Sequence, residues 1–188
     1  MTELRKIGVV GAGQMGNGIA HVCALSGYNV AINDIADESL KKADATIRKN
    51  MARQVSREVI SQEEMDTAMG RITFSTSMSS LSDVDLAIEA ATEKEAIKVQ
   101  IFESLVKAVP KTAWLASNTS SISITRLAST TDRPERFIGL HFMNPVPVMQ
   151  LIEVIRGLAT DQETYEMALG FAERLHKTVA NAEDFPAF

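Results

Sequence analysis

The chain of 188 residues is 45% hydrophobic and 23% charged, with a net charge of −5. This is the profile of an ordinary soluble globular protein, able to bury roughly 70% of its unfolded surface. Its apolar runs are too short and too broken by Gly, Asp or Glu for a membrane span, and its acidic balance argues against nucleic-acid binding.

Short apolar β-type runs alternate with longer helical patterns along the chain. Residues 6–10 predict a buried strand that ends in the loop Gly11-Ala-Gly-Gln-Met-Gly16. Met15, Ile19, Val22, Cys23 and Ser26 follow at helical spacing, with Gly27 as the stop. Residues 28–33 predict the second strand, and a basic helical pattern runs from about 37 to 57. Ser61-Gln-Glu-Glu64 reads as an N-cap with a capping-box Glu, opening a shorter helix to Met69. Strands are predicted over 71–75 and 86–90, either side of a Ser/Thr-rich loop, and a helix over 93–109 stops at Pro110. Strands over 112–116 and 137–140 flank a short helix over 123–129. The turn Asn144-Pro-Val-Pro147 leads to a strand over 148–155, Asp161 caps a last helix to about 177, and 178–182 predicts one more strand. The succession predicts an α/β fold: one domain over 1–188, a doubly wound, mostly parallel sheet with helices on both faces and a helical insertion over about 37–69.

Gly11-x-Gly13-x-x-Gly16 matches the dinucleotide fingerprint: the first Gly for the tight turn, the second for close approach to a pyrophosphate, the third for helix–strand packing. The strand before it and the helix after it are the required context for a Rossmann-type fold. The helix start, Gln14 and Met15 included, then presents free N–H groups to phosphates. Asp34 ends the second strand, where the fingerprint wants an acid for the adenosine ribose hydroxyls, and it would repel a 2′-phosphate. NAD is therefore expected over NADP. The competing role for Asp34 is a helix N-cap, for which Asp37 is the better placed.

Ligands of such sheets bind outside the carboxyl ends of the strands, and polar chemistry gathers at three of them. Glu89 and Glu93 follow one strand, Ser117-Asn-Thr-Ser-Ser121 another, His141-Phe-Met-Asn144 a third. If the strand after the Pro-rich turn returns antiparallel, His141 and Glu153 lie about opposite each other, equidistant from residue 147. Glu153 interrupts the apolar run Leu151-Ile-Glu-Val-Ile155 and so needs a partner. A carboxylate on one ring nitrogen leaves the other as a proton acceptor; the alternative is a structural His–Glu pair in a hairpin. His21 and His176 read as structural, and Cys23, alone in an apolar stretch, as an inert core residue. With no disulfide possible, and an N-terminus that runs straight into a strand without room for a signal peptide, a cytoplasmic protein is expected. Lys41, Lys42, Arg48, Lys49, Arg53 and Arg57, with only Asp44 among them, make a segment of local charge +5. It reads either as a solvated helix face or as a holder of a polyanionic ligand.

Together, Gly-Ala-Gly-Gln-Met-Gly-Asn-Gly-Ile-Ala (11–20), Ile-Glu-Ala-Ala-Thr-Glu (88–93), Ala-Ser-Asn-Thr-Ser-Ser (116–121), Gly-Leu-His-Phe-Met-Asn-Pro (139–145) and Leu-Ile-Glu-Val-Ile (151–155) resemble the L-3-hydroxyacyl-CoA dehydrogenase family over essentially the whole chain. The resemblance implies NAD-dependent oxidation of the 3-hydroxyl of an acyl-CoA, with 3-hydroxybutyryl-CoA as the expected substrate, in fatty-acid or butyrate metabolism. It implies His141 and Glu153 as the catalytic pair, with Ser120 contacting substrate and cofactor and Asn144 near the nicotinamide. It implies Glu93 on the nicotinamide ribose, Lys98 as a cofactor contact, and Asn50 as a CoA contact with Lys49, Arg53 and Arg57 as further candidates; no metal is implied. Family members continue past a Pro-Gly-Phe hinge into an all-helical domain that supplies a catalytic Asn and the homodimer interface. Here the sequence reads Phe185-Pro-Ala-Phe188 and stops, so that domain is expected to be absent and turnover by these residues alone to be low. Rival readings are a sister NAD dehydrogenase of a non-CoA hydroxy acid such as gulonate or carnitine, and a non-catalytic, crystallin-like NAD-binding relative.

Overall fold

A computed structural model describes residues 4–184. The first strand, β1 (Lys6–Val10), passes through the glycine loop into α1 (Gln14–Leu25). Gly27, at φ +91°, supplies the left-handed step that turns the chain into β2 (Asn29–Asn33). Between β2 and β3 (Ile72–Ser75) lie the two helices α2 (Asp37–Ser56) and α3 (Gln62–Gly70). The capping box of α3 is reciprocal: Ser61 Oγ accepts from Glu64 N at 3.1 Å, and the Glu64 carboxylate accepts from Ser61 N at 2.6 Å. Asp37 is the first residue of α2, not its cap; Ala36 holds the N-cap position and makes no side-chain bond.

The second half runs β4 (Leu86–Glu89), α4 (Glu95–Ala108), β5 (Trp114–Ser117), α5 (Ile124–Ala128), β6 (Phe137–Phe142), β7 (Leu151–Arg156), α6 (Gln162–Arg174) and β8 (Thr178–Glu183). β7 starts three residues later than the sequence pattern suggests. Residues 145–149 instead form a turn in which the N–H groups of Val148 and Met149 both donate to the Pro145 carbonyl, while Pro145 and Pro147 have no N–H to offer a ladder. α4 starts two residues late because the Glu93 side chain is engaged by the loop after β5.

The eight strands form one sheet in the order β3-β2-β1-β4-β5-β6-β7-β8. All neighbours are parallel except β6 and β7. The order reverses between β1 and β4, which opens a crevice at their carboxyl ends. Both faces are covered, and each strand alternates between them. Ile7, Val9, Ile88 and Leu140 pack under α1, α2, α3 and α6 with Ile19, Ile47, Met51 and Phe171. Val10, Ala87, Leu115 and Phe137 face the opposite way, toward Phe102 and Leu105 of α4 and Leu127 of α5. Among the described residues no helix is long and apolar enough to cross a membrane.

Candidate active site

The glycine loop sits at the crevice. Gly11 has φ +101°, and a Cβ there would lie 2.5 Å from Ala91 Cα of the neighbouring strand's exit. A Cβ on Gly16 would run into the Gly11 carbonyl oxygen, so α1 can approach β1 only with glycine at this position. A Cβ on Gly13 would meet nothing within 4 Å. That open space lies over the start of α1, whose N-terminus has no side-chain cap and therefore keeps its N–H groups for an anion. Asp34 stands at the mouth of the loop: Oδ2 accepts the Ala12 N–H at 2.8 Å and Oδ1 the Ala36 N–H at 3.0 Å. A carboxylate has about four acceptor positions, so two remain for ribose hydroxyls. A dinucleotide fits these residues: space above Gly13, free donors at α1 and an acid at the end of β2.

On the other side of the loop, a cleft of about 420 Å³ is lined by Gln14, Met15, Glu93, Ser120, His141 and Asn144, among others. Glu93 Oε1 is held by four donors: Thr119 Oγ1 at 2.5 Å, Ser120 N at 2.8 Å, and Ser120 and Ser121 Oγ, both at 3.2 Å. Burial pushes its carboxyl pKa up, but these donors and the nearby Lys98 outweigh burial and hold it below the usual value. Glu93 is therefore a fixed anion whose Oε2 stays on the cleft side, 3.7 Å from Lys98 Nζ. Lys98 itself is 1% exposed. Its ammonium ends on Glu89 Oε2 at 2.5 Å and Ser117 Oγ at 3.3 Å, so it lines the cleft from beneath, turned toward Glu89.

His141 lies opposite Glu153 in the antiparallel register of β6 and β7. Its Nδ1 is 2.6 Å from Glu153 Oε2, and Nε2 has no partner among the described residues. The carboxylate fixes the proton on Nδ1 and leaves Nε2 as the acceptor facing the cleft. Asn118 Oδ1 accepts the Phe142 N–H at 2.8 Å, tying the Ser/Thr loop to the strand that carries His141. Asn144 Oδ1 accepts from Gln14 Nε2 at 3.1 Å, so the glycine loop and the His141 loop touch directly.

This contact divides the first cleft from a second, of about 440 Å³, which runs between Asn144 and α2 past Ser39, Lys42, Thr46 and Asn50. At roughly 100° per residue, Lys49, Arg53 and Arg57 continue the stripe of α2 that carries Asn50. Lys41, Lys42 and Arg48 are paired with Asp37, Glu38 and Asp44 one turn earlier. Lys49, Arg53 and Arg57 have no acidic partner among the described residues. Asn50 lines the cleft; the three bare cations extend beyond it.

Residues outside the fingerprint complete this arrangement. Glu89, 0% exposed, anchors both Lys98 and Ser117 (Oγ to Oε2, 2.8 Å) and accepts the Ala91 N–H at 2.9 Å. The sequence places Glu89 at the carboxyl end of its strand but gives no sign of its partners. Asp184, far along the chain, accepts from Ser123 Oγ, Ile124 N and Thr125 N at the start of α5, and no motif announces that. His21 is buried with Nε2 on Gln54, burial holding its pKa down. Cys23 is fully buried, which pushes its thiol pKa up. His176 is exposed at the end of α6. None of the three faces either cleft. Phe185 and Phe188 lie outside the described residues.

The glycine loop, the acid that follows β2 and the switch-point crevice define a Rossmann-type dinucleotide-binding domain. The chain belongs to the 3-hydroxyacyl-CoA dehydrogenase family: the family model for the 3-hydroxyacyl-CoA dehydrogenase NAD-binding domain matches residues 6–185, and NAD is its cofactor. It is 55% identical to 3-hydroxybutyryl-CoA dehydrogenase of Bradyrhizobium diazoefficiens, a match covering 98% of this chain and 63% of that protein. It is 42% identical to a probable 3-hydroxybutyryl-CoA dehydrogenase of Bacillus subtilis, over 99% of this chain and 65% of that one. The crystal structure of (S)-3-hydroxybutyryl-CoA dehydrogenase from Ralstonia eutropha superposes with a TM-score of 0.97 at 44% identity, over 99% of this chain and 66% of that one. The chain thus spans about two thirds of the length of these relatives.

Proposed function

We propose that this chain provides the cofactor site and the catalytic base of an NAD-dependent dehydrogenase that oxidises the 3-hydroxyl of a (3S)-3-hydroxyacyl-CoA, with 3-hydroxybutyryl-CoA as substrate. The observation that carries the reading is the His141–Glu153 pair, 2.6 Å apart, with Nε2 free on the cleft it shares with the glycine loop and Glu93. NAD supplies the hydride acceptor when bound. His141 Nε2 takes the hydroxyl proton, and Glu153, on Nδ1, stabilises the imidazolium that results. Ser120 lies beside Glu93 at the cleft edge, where its hydroxyl orients the substrate oxygen. Asn144, braced by Gln14, orients the carboxamide side of the site. Glu93 Oε2 takes the nicotinamide ribose and Asp34 the adenosine ribose, while Lys98 acts on the cofactor from beneath Glu93.

The CoA part of the proposal rests on α2. Asn50 lines the second cleft, and Lys49 and Arg53 of this helix, with Arg57 at its C-cap, are left without an acid among the described residues, as a polyphosphate ligand requires. A gulonate or carnitine enzyme has no use for such a stripe, and a non-catalytic relative has none for a His–Glu pair aimed at the cofactor cleft. Residues 1–188 are read as one NAD-binding domain with α2 and α3 as its helical insertion. The remaining third of the relatives' length is read as the helical domain that completes the acyl site and the homodimer, in a cytoplasmic enzyme of fatty-acid or butyrate metabolism.

The test is NAD reduction with acyl-CoAs of graded chain length beside gulonate and carnitine. It is run on this chain and on the longest product of its gene. Turnover confined to 3-hydroxyacyl-CoAs is expected, strongest in the longer product; turnover of gulonate or carnitine instead would overturn the reading.

A further inference from the structure

The buried pair behind the cleft calls for an explanation, because a buried ion pair is a poor source of stability compared with apolar residues of the same volume. Glu89 and Lys98 are 0% and 1% exposed and in contact at 2.5 Å. Neither reaches solvent. Ser117 Oγ donates to Glu89 Oε2 and Ala91 N to Oε1, so with Lys98 both oxygens are engaged. Lys98 lies 3.7 Å from Glu93 Oε2, close enough to neutralise Glu93 were its charge not already matched. Two carboxylates and one ammonium leave one net negative charge; Lys98 lines the cleft floor at 1% exposure, and Glu93, with 43% of its side chain exposed, is the member that stands out into it.

We propose that Glu89 is a positioning residue which, by occupying Lys98, leaves the Glu93 charge uncompensated toward the nicotinamide and so biases the site toward the oxidised, cationic cofactor over the neutral reduced one. This rests on the NAD reading above and adds to it a role for a residue that touches neither cofactor nor substrate. The bias is electrostatic: an anion attracts the positively charged nicotinamide ring of NAD and is indifferent to that of NADH. Removing one unit of negative charge in this partly desolvated wall changes the ratio of the two affinities on the order of tenfold. For a two-electron couple this displaces the potential of the bound cofactor by about 30 mV.

The experiment is calorimetric titration of the purified chain with NAD and, separately, with NADH. Glu89→Gln keeps the size and most hydrogen bonds of the side chain but leaves Lys98 unmatched, so the NAD-to-NADH affinity ratio is expected to fall roughly tenfold. The double variant Glu89→Gln, Lys98→Met removes both charges and is expected to return the ratio to the wild-type value. A merely structural role moves both affinities together and makes the double variant no better than the single. Should Glu89→Gln fail to fold, Glu93→Gln removes the same net charge at the exposed member and must lower the ratio in the double-variant background. An unchanged ratio in the single variant, or no recovery in the double, overturns the inference while leaving the NAD site standing. Failure of the wild-type chain to bind either cofactor overturns the NAD reading and this inference with it.

Discussion

On the proposed reading Asp34 joins cofactor choice to loop geometry, and the two can be separated by mutation. Its Oδ2 holds the Ala12 N–H and its Oδ1 the Ala36 N–H. Truncation to Ala frees both. Ala36 is exposed and its N–H finds water; Ala12 is 4% exposed, so its N–H is stranded, at about 1–2 kcal/mol. Asp34→Asn keeps an acceptor for Ala12 and avoids most of that loss. Both variants remove the charge that repels a 2′-phosphate and weaken the bonds to the ribose hydroxyls, which as charge-assisted bonds contribute about 1.5–3 kcal/mol, or roughly 10- to 150-fold in affinity. The expected pattern is therefore NADH binding far tighter than NADPH in the wild type. In Asp34→Asn the gap narrows with little change in thermal stability; in Asp34→Ala it narrows with a drop of several degrees in Tm. Fluorescence titration with both cofactors, beside thermal denaturation, measures all four quantities. Equal NADH and NADPH affinities in the wild type, or a gap that survives Asp34→Asn, would mean that Asp34 does not set cofactor choice.

Two further predictions concern the edges of the site. Burial pushes the Asp184 carboxyl pKa up, but the donors from Thr125, Ser123 and Ile124 outweigh it and hold it below 3.8. The folded form thus binds fewer protons than the unfolded one, so the stabilisation is fully present above about pH 4 to 5 and is lost as pH falls below 3.8. The stability gap between wild type and Asp184→Asn, measured by urea denaturation, should shrink from pH 6 to pH 3; a constant gap would mean that the carboxylate does not hold α5. Alanine at Lys49, Arg53 and Arg57 together should raise KM for the acyl-CoA and flatten its salt dependence with NADH affinity unchanged. An unaffected KM would return the stripe to a solvated helix face.

An interaction is legible in the sequence when it is local. β1, the glycine turn and α1 are legible because strand, Gly11, Gly13 and Gly16 are consecutive and each glycine meets a definite geometric demand. The capping box at Ser61 and Glu64 is equally local. The facing of His141 and Glu153 spans 12 residues of sequence but follows from a two-residue period about a single turn, so it too can be worked out in advance. Lys98 is different. The sequence places it one helical turn from Glu93, but its burial on Glu89 and Ser117 depends on how α4 packs over β4 and β5, and no pattern within one element encodes that. Asp184 on α5 and Gln14 on Asn144 are of the same kind, joining segments 61 and 130 residues apart. The late starts of β7 and α4 also have tertiary causes: a proline turn that cannot join a ladder, and a Glu93 side chain drawn into the next loop.

On the proposed reading His141, set by Glu153, is the base that removes the hydroxyl proton. The most direct measurement is single-turnover NAD reduction with 3-hydroxybutyryl-CoA in His141→Gln and Glu153→Gln variants of the longest gene product, with NADH affinity measured alongside. Loss of a general base predicts a fall of about 10²- to 10⁴-fold for His141→Gln. Glu153→Gln, which can still accept from Nδ1 but carries no charge, predicts a smaller fall of roughly 10- to 100-fold. NADH affinity should stay within about twofold in both, since neither side chain belongs to the glycine loop or the ribose acids. A His141→Gln variant that reduces NAD at the wild-type rate would show that His141 is not the base.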